Sequence, residues 1–245
     1  MKLIICAFLA SIPAFGGIGL VSHTGGLSTT GANGATTLSI NTTGATFLTV
    51  AVTVYSQSAA GVTLTDSNGN TWHALANQLA GTSTLTNTNI WYSYAHSAAA
   101  LVVGSSHTVT ISCSSCYPGM TFSAWSGTTS GVDPYDGTQS GGGIVGTSYT
   151  VPSITPTQAN ELVITSFGDL GGSTYALNSP FAMINTNNYN PSIAMGNASA
   201  YVIQTTAVSA GPTWTLGSGS DPIATSIAAF RPAVVNSPIS MAVIW

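Results

Sequence analysis

The amino-acid sequence predicts an all-β protein built as a single two-sheet antiparallel β-sandwich. Three observations support this fold class. Short runs of β-branched and aromatic residues alternate with polar residues along the chain, which is the pattern of half-buried strands. Clusters of Gly, Asn, Ser and Pro separate these runs at the spacing of sandwich turns. No window carries a capped apolar stripe with the 3.6-residue period of a helix.

The predicted strands follow one another along most of the chain. They are 36–40, 46–55, 61–66, 71–75, 89–96, 107–113, 120–127, 161–168, 198–206, 213–216 and 223–230. The turn-rich stretch 128–149 separates two groups of them and could be a linker between two halves. We favour one sandwich with a long surface loop, because neither half holds a complete set of predicted strands and no repeat of solenoid period is visible.

The segment DSNGNTW, which begins at Asp66, has two interpretations. Its alternating Asp and Asn residues resemble the oxygen ligands of a calcium loop. An EF-type loop, however, needs Gly at its sixth position and Glu at its twelfth, where this chain has Thr71 and Asn77. Asn68-Gly69 is a strong signal for a tight turn between paired strands, so we predict a β-hairpin turn here.

Charged residues are rare. They form 3% of the 245 residues, and Lys2 and Arg231 are the only basic side chains. Such a chain cannot neutralise a phosphate backbone, which excludes nucleic-acid binding, and it cannot attach to anionic lipid through a polybasic segment. A net charge of −4 leaves little repulsion between copies and therefore favours self-association.

Residues 1–17 have the pattern of a signal peptide, because Lys2 precedes an apolar run and small residues follow it. The alternative is a buried strand or short helix of an unprocessed protein. Pro13 and two glycines interrupt the stretch, which argues against a membrane-spanning helix. We expect an extracellular, cell-surface or virion-surface protein that has no membrane attachment after processing.

Cys113 and Cys116 form the motif CSSC. A zinc site would need a second pair of ligands, and the third cysteine, Cys6, lies in the signal-like segment. A redox motif would precede a helix, whereas turn and strand residues follow this one. The sequence therefore predicts a local disulfide, as suits an exported chain.

Two carboxylates lie close together in DPYDG, at Asp133 and Asp136. With backbone carbonyls they could bind calcium, the one cofactor that the sequence suggests. An Asp-Pro turn in which the carboxylates accept backbone hydrogen bonds is the favoured interpretation.

Catalytic motifs are missing from the sequence. Nothing in the spacing of the six carboxylates singles out a pair for glycoside hydrolysis, and no nucleophile-elbow motif occurs. We expect no enzymatic activity.

Several aromatic residues could stack on sugar rings if they face outward. These glycan-binding candidates are Trp72, Trp91, Tyr92, Tyr94 and Trp125. Because side chains alternate along a strand, Trp91 shares a face with Ser93, while Tyr92 and Tyr94 share the other. A core position is favoured for at least one set. Asn41 and Asn197 are glycosylation acceptors by pattern.

The C-terminal tail, residues 233–245, continues beyond the last predicted strand. Its apolar end has strong β propensity and no charge, and such a segment aggregates unless it is covered. It either packs on its own domain or adds a strand to a neighbouring copy. The residues of this candidate assembly strand are Ile239, Met241, Val243, Ile244 and Trp245.

Several motifs occur in a fixed order: INTTGATFLTVAV, DSNGNTW, GSSHTVTIS, FSAWSGTTSGVDPYDGTQSG, PSITPTQANELVITSFG and ATSIAAFRP. Together they resemble a loosely defined family of β-sandwich domains in secreted bacterial and phage-associated proteins, from about His23 to Pro232. The resemblance implies a jelly-roll-like sandwich over residues 22–232 in a secreted or virion-surface setting. The resemblance assigns no functional residue to this chain.

These observations predict a non-catalytic structural protein that associates with itself in a filament, surface layer or virion appendage. The alternative is an adhesion module that binds a cell-surface glycan or receptor. A glycan hydrolase is the third hypothesis.

Overall fold

The structure is a computed structural model that describes residues 14–15, 17–28, 35–56, 61–79, 86–96, 100–114, 116–129, 131–171, 174–190 and 195–235. The described residues form nineteen strands and no helix. In chain order the strands are β1 (Ala14–Phe15), β2 (Gly19–Leu27), β3 (Ala35–Ile40), β4 (Phe47–Ser56), β5 (Val62–Asp66), β6 (His73–Ala74), β7 (Gln78–Leu79), β8 (Thr86–Tyr94), β9 (His107–Cys113), β10 (Cys116–Ser126), β11 (Tyr135–Gly146), β12 (Ser148–Thr150), β13 (Glu161–Asp169), β14 (Tyr175–Leu177), β15 (Ala182–Asn190), β16 (Met195–Gln204), β17 (Thr213–Leu216), β18 (Asp221–Phe230) and β19 (Val234–Val235).

Strands β2 to β10 form one antiparallel sandwich, which we call the N-terminal sandwich. Its large sheet has the order β2-β10-β4-β8, with β6 and β7 beyond β8, and its small sheet has the order β3-β9-β5. Apolar side chains of the two sheets meet in a core that includes Val50, Ile111 and Phe122. Alternation along each strand brings these side chains to one face.

Strands β11 to β18 repeat this arrangement as the C-terminal sandwich. Its large sheet has the order β11-β18-β13-β16-β15, and its small sheet has the order β12-β17-β14. Counted within each half, with β6 and β7 taken together as one element, strands one, eight, three and six lie side by side, and strands two, seven and four form the opposite sheet. This is a jelly-roll arrangement in which the fifth element joins the larger sheet. Phe167 and Trp214 are central to the second core.

The predicted all-β antiparallel sandwich is confirmed, and the structure holds two such pairs of sheets where the sequence suggested one. Residues 128–149 were predicted as a long loop, and that prediction is wrong. Strand β11 and strand β12 occupy most of this stretch, because its glycines allow an extended strand against β18. The boundary between the sandwiches lies just before it, between β10 and β11.

The two large sheets pack face to face, so the molecule has four layers. One end of this inner interface is aromatic: the Phe47 and Phe230 rings lie 4.8 Å apart, and the Trp125 and Tyr201 rings lie 5.1 Å apart. The other end is made of small residues, and a Cβ at Gly168 would collide with the Thr53 side chain. The inner strands are therefore buried on both faces, and all nine residues of β13 are buried.

The prediction of a hairpin at DSNGNTW is wrong in one respect. The segment does turn, and Gly69 has a positive φ of 71°, but β5 belongs to the small sheet and β6 to the large one. The turn therefore carries the chain from one layer of the N-terminal sandwich to the other. Asp66, described below, fixes this crossing.

The two ends of the described chain meet. Strand β1, which lies inside the signal-like segment, pairs antiparallel with β19 at the start of the tail. Within the described ranges, no helix is present that is long and apolar enough to cross a membrane.

Candidate functional site

The Asp66 carboxylate is the centre of the crossing turn. It accepts hydrogen bonds from the backbone N–H groups of Asn68 and Asn70, each at 3.0 Å, and from the Asn70 amide at 2.9 Å. Trp72 Nε1 donates at 2.9 Å, and His107 Nε2 lies 3.2 Å away. Burial alone would raise the pKa of Asp66, but the hydrogen bonds from His107, Asn70 and Trp72 outweigh it and hold the pKa well below its usual range.

A second carboxylate cluster lies at the start of the C-terminal sandwich. Asp136 is 4% exposed and accepts hydrogen bonds from Arg231 Nε at 3.2 Å and from both the backbone N–H and the hydroxyl of Thr157. The same hydroxyl lies 3.3 Å from Glu161 Oε1. Burial and the neighbouring Asp136 carboxylate raise the pKa of Glu161 to about 7. Both carboxylates are closed to solvent, so no substrate reaches them in this arrangement.

The calcium candidates Asp133 and Asp136 have separate partners. Asp133 Oδ1 accepts the Tyr135 backbone N–H at 2.9 Å, and Oδ2 accepts the Tyr92 hydroxyl at 3.0 Å. Among the residues that the structure describes, no group of three or more His, Cys, Asp or Glu side chains could hold a metal ion. The geometry favours the Asp-Pro turn, and calcium stays a prediction.

The glycan-binding candidates fall in three environments. Trp125 is fully buried at the inner interface, where its Nε1 donates to Thr49 Oγ1 at 2.9 Å. Tyr92 is 4% exposed, and burial and Asp133 raise its pKa above the usual range. Tyr94 is half-buried against His73, with ring centroids 5.3 Å apart.

Trp72 and Trp91 both lie on the core side of the N-terminal large sheet. Trp72 is held by Asp66. Trp91 lines a cavity of about 550 Å³ between β4 and β8 on one side and the start of β5 on the other. Its walls are Val52, Val54, Gly61, Val62, Ala74, Leu75, Asn77, Asn87, Thr88, Asn89 and Trp91.

Strand β11 forms one edge of the C-terminal large sheet. It pairs with β18 along one side, and no other described strand pairs with its second side. Its one charged residue, Asp136, is buried, and it contains no proline. Ile144 is 40% exposed and Val145 is 64% exposed near its end. This edge therefore lacks the charges and prolines that usually protect a free strand.

The remaining sequence candidates are placed as follows. Cys113 and Cys116 lie at disulfide-bonding distance, with their Cα atoms 5.8 Å apart. The predicted pairing of these two cysteines is therefore confirmed. Asn41 is exposed and accepts the Thr43 backbone N–H, whereas Asn197 is 1% exposed and closed to a glycosylating enzyme in the folded chain. The assembly-strand residues 239–245 lie outside the described residues.

Sequence reasoning missed the Asp136–Glu161 pair and the amide-lined cavity. The pair joins residues on two strands that only the fold brings together. The cavity carried a partial signal, since Asn87, Asn89 and Trp91 alternate along one strand and must share a face. Nothing in the sequence shows that this face of the strand borders a cavity.

Comparisons of the chain with protein-family models, with curated proteins and with solved structures find no match. The resemblance to β-sandwich domains of secreted bacterial and phage-associated proteins therefore stays a prediction. The function has to be inferred from the geometry of the molecule itself.

Proposed function

We propose that this chain is a non-catalytic structural protein that acts outside the cytoplasm and associates with copies of itself through strand addition. The observation that carries the proposal is the outer edge of β11, which pairs with no further strand among the described residues and exposes Ile144 and Val145. A strand from another chain can complete the hydrogen bonds of such an edge and cover its apolar side chains.

The occupant we propose for the edge is the tail of a second copy. Residues 239–245 are apolar and uncharged, which matches an edge strand whose only charge is buried. Seven extended residues span roughly 23 Å, about half the length of the twelve-residue strand β11. A strand of that length covers the exposed end of β11 at Ile144 and Val145.

The distribution of charge supports self-association further. Asp66, Asp136, Glu161 and Asp169 have buried side chains, so the described surface presents few charges that would repel another copy. A disulfide between Cys113 and Cys116 would persist in an oxidising compartment, which supports a location outside the cytoplasm. The closed Asp136–Glu161 pair supports a role without catalysis.

The test compares the full chain with two changes that leave the described core intact: removal of residues 236–245, and Val145→Lys at the open edge. Val208→Lys is the matched control, because Val208 is 49% exposed and lies outside the strands. We expect concentration-dependent polymers for the full chain and the control, and monomers for the other two, by light scattering after size exclusion and by negative-stain electron microscopy. A full chain that stays monomeric at high concentration would contradict the proposal.

A further inference from the structure

The cavity of the N-terminal sandwich has the chemistry of a ligand site. Its volume of about 550 Å³ lies within the usual range for small-molecule pockets, roughly 300–1,000 Å³. Valine and leucine side chains form the walls, and three asparagine amides, from Asn77, Asn87 and Asn89, stand among them. Apolar walls with a few polar groups are the usual composition of a binding pocket.

Two buried polar groups in the wall lack a protein partner. Asn89 is 8% exposed, and its Oδ1 has no hydrogen bond within the described residues, nor has Trp91 Nε1. Both atoms are shielded from solvent as the side chains stand. An asparagine amide rotates broadly about χ2, so Asn89 can turn a donor or an acceptor toward the cavity when a partner is present. A buried polar group without a partner is costly, and a ligand that supplies one removes that cost.

The lining excludes charged ligands. Among the described residues, no Asp, Glu, Lys, Arg or His side chain lines the cavity, and a charge placed there would lose its hydration without gaining an opposite charge. The favoured ligand therefore has an apolar face for Trp91 and several hydroxyl groups for the amides. A neutral sugar ring has both, since its C–H face packs on an aromatic ring and its hydroxyls donate and accept hydrogen bonds.

We infer that this cavity binds one sugar ring of a neutral saccharide, with Trp91 as the packing surface and Asn87 and Asn89 as the hydrogen-bonding groups. The site lies in the N-terminal sandwich, whereas β11 lies in the C-terminal one. Saccharide binding is measured by titration and self-association by the oligomeric state, so the failure of one can be told from the failure of the other.

The test is isothermal titration of the full chain with glucose, galactose, mannose, N-acetylglucosamine and their disaccharides, and with glucuronate and N-acetylneuraminate as charged counterparts. We expect at least one neutral sugar to bind and the charged ones to bind about tenfold more weakly or not at all, because their charge would lose hydration without gaining an opposite charge. If none of the neutral sugars binds, or if the charged ones bind equally well, the inference is overturned.

Two variants locate the binding. Asn89→Leu keeps a similar volume but removes the amide, and it should weaken binding about tenfold or more. Asn188→Leu is the matched control, because Asn188 is exposed on β15 of the other sandwich. Thermal unfolding checks that both variants are folded. Equal affinity of folded Asn89→Leu and the unmodified chain would overturn the site, as would an equal loss of affinity in folded Asn188→Leu.

Discussion

The two sandwiches share one strand order but stabilise buried carboxylates in opposite ways. In the N-terminal sandwich, Asp66 is surrounded by donors, and its pKa is held well below the usual range. In the C-terminal sandwich, Glu161 lies beside a second carboxylate, Asp136, and its pKa is raised to about 7. The single arginine of the chain contacts Asp136, not Glu161. Strand topology therefore does not determine how each half stabilises its buried polar groups.

The halves also fill their cores differently. In the C-terminal sandwich the Phe167 ring lies 5.0 Å from both Trp214 and Tyr175, so aromatic rings fill the space between the sheets. In the N-terminal sandwich, asparagine amides, Trp91 and aliphatic side chains line a cavity. Aromatic rings thus fill the core of one half, whereas the other half contains a cavity.

The largest expected effect is the loss of stability that follows substitution of Asp66 in the N-terminal sandwich. Asp66→Ala leaves the donors from Asn70, Trp72 and His107 without their acceptor, and it should lower the free energy of unfolding by about 4 kcal/mol. Asp66→Asn, which keeps one acceptor oxygen, should lose less. Urea denaturation at neutral pH measures both. Equal stability of Asp66→Ala and the unmodified chain would show that the crossing turn does not depend on this carboxylate.

The same residue predicts acid sensitivity. Because the folded pKa of Asp66 lies below the ordinary value of 3.8, its stabilisation is complete above that pH and is lost as the pH falls through the folded value.

The next effect concerns Glu161 in the C-terminal sandwich. Its raised pKa makes stability fall as the pH rises, whereas the lowered pKa of Asp66 makes stability fall as the pH drops. The folded pKa of Glu161 is about 7 and the ordinary value is 4.5, so the unfolded chain ionises first. Stability should therefore fall as the pH rises from 4.5 to about 7, by about 3 kcal/mol, and stay level above. Glu161→Gln should abolish this slope and be the more stable protein at pH 8.

Denaturation midpoints at several pH values measure the Glu161 effect. Asp221→Asn is the control, because Asp221 is partly exposed on β18, and this variant should keep the slope. Parallel profiles for Glu161→Gln and the unmodified chain would refute the assignment to Glu161.

The smallest effect concerns the connection between the last two strands of each sandwich. Cys113 and Cys116 join β9 to β10, whereas the corresponding connection between β17 and β18 contains no cysteine. A disulfide that closes so short a loop contributes about 2 kcal/mol. The double variant Cys113→Ser/Cys116→Ser should lose that amount, and reductant should destabilise the unmodified chain but not the variant. An unmodified chain that is insensitive to reductant would mean that the bond contributes nothing.

The sequence was sufficient for the class of fold and for many strand positions, since alternation and turn residues are local signals. It was insufficient for the number of sheets, because β4 and β13 are buried on both faces and small residues such as Thr53 and Gly168 mark no second core. The long strand β11 was missed because its glycines and serines are typical of loops. The Asp136–Glu161 pair could not be predicted, since only the packing of β11 against β18 and of β18 against β13 brings it together.

The burial of most carboxylates also affects how the protein responds to its surroundings. Dissolved salt screens exposed charges and has little influence on buried ones. Among the described Asp, Glu and Arg residues, Asp133, Asp221 and Arg231 lie partly at the surface. The fold should therefore depend little on ionic strength, and so should the self-association that we propose. A protein with this surface should keep the same fold at low and at high salt concentration.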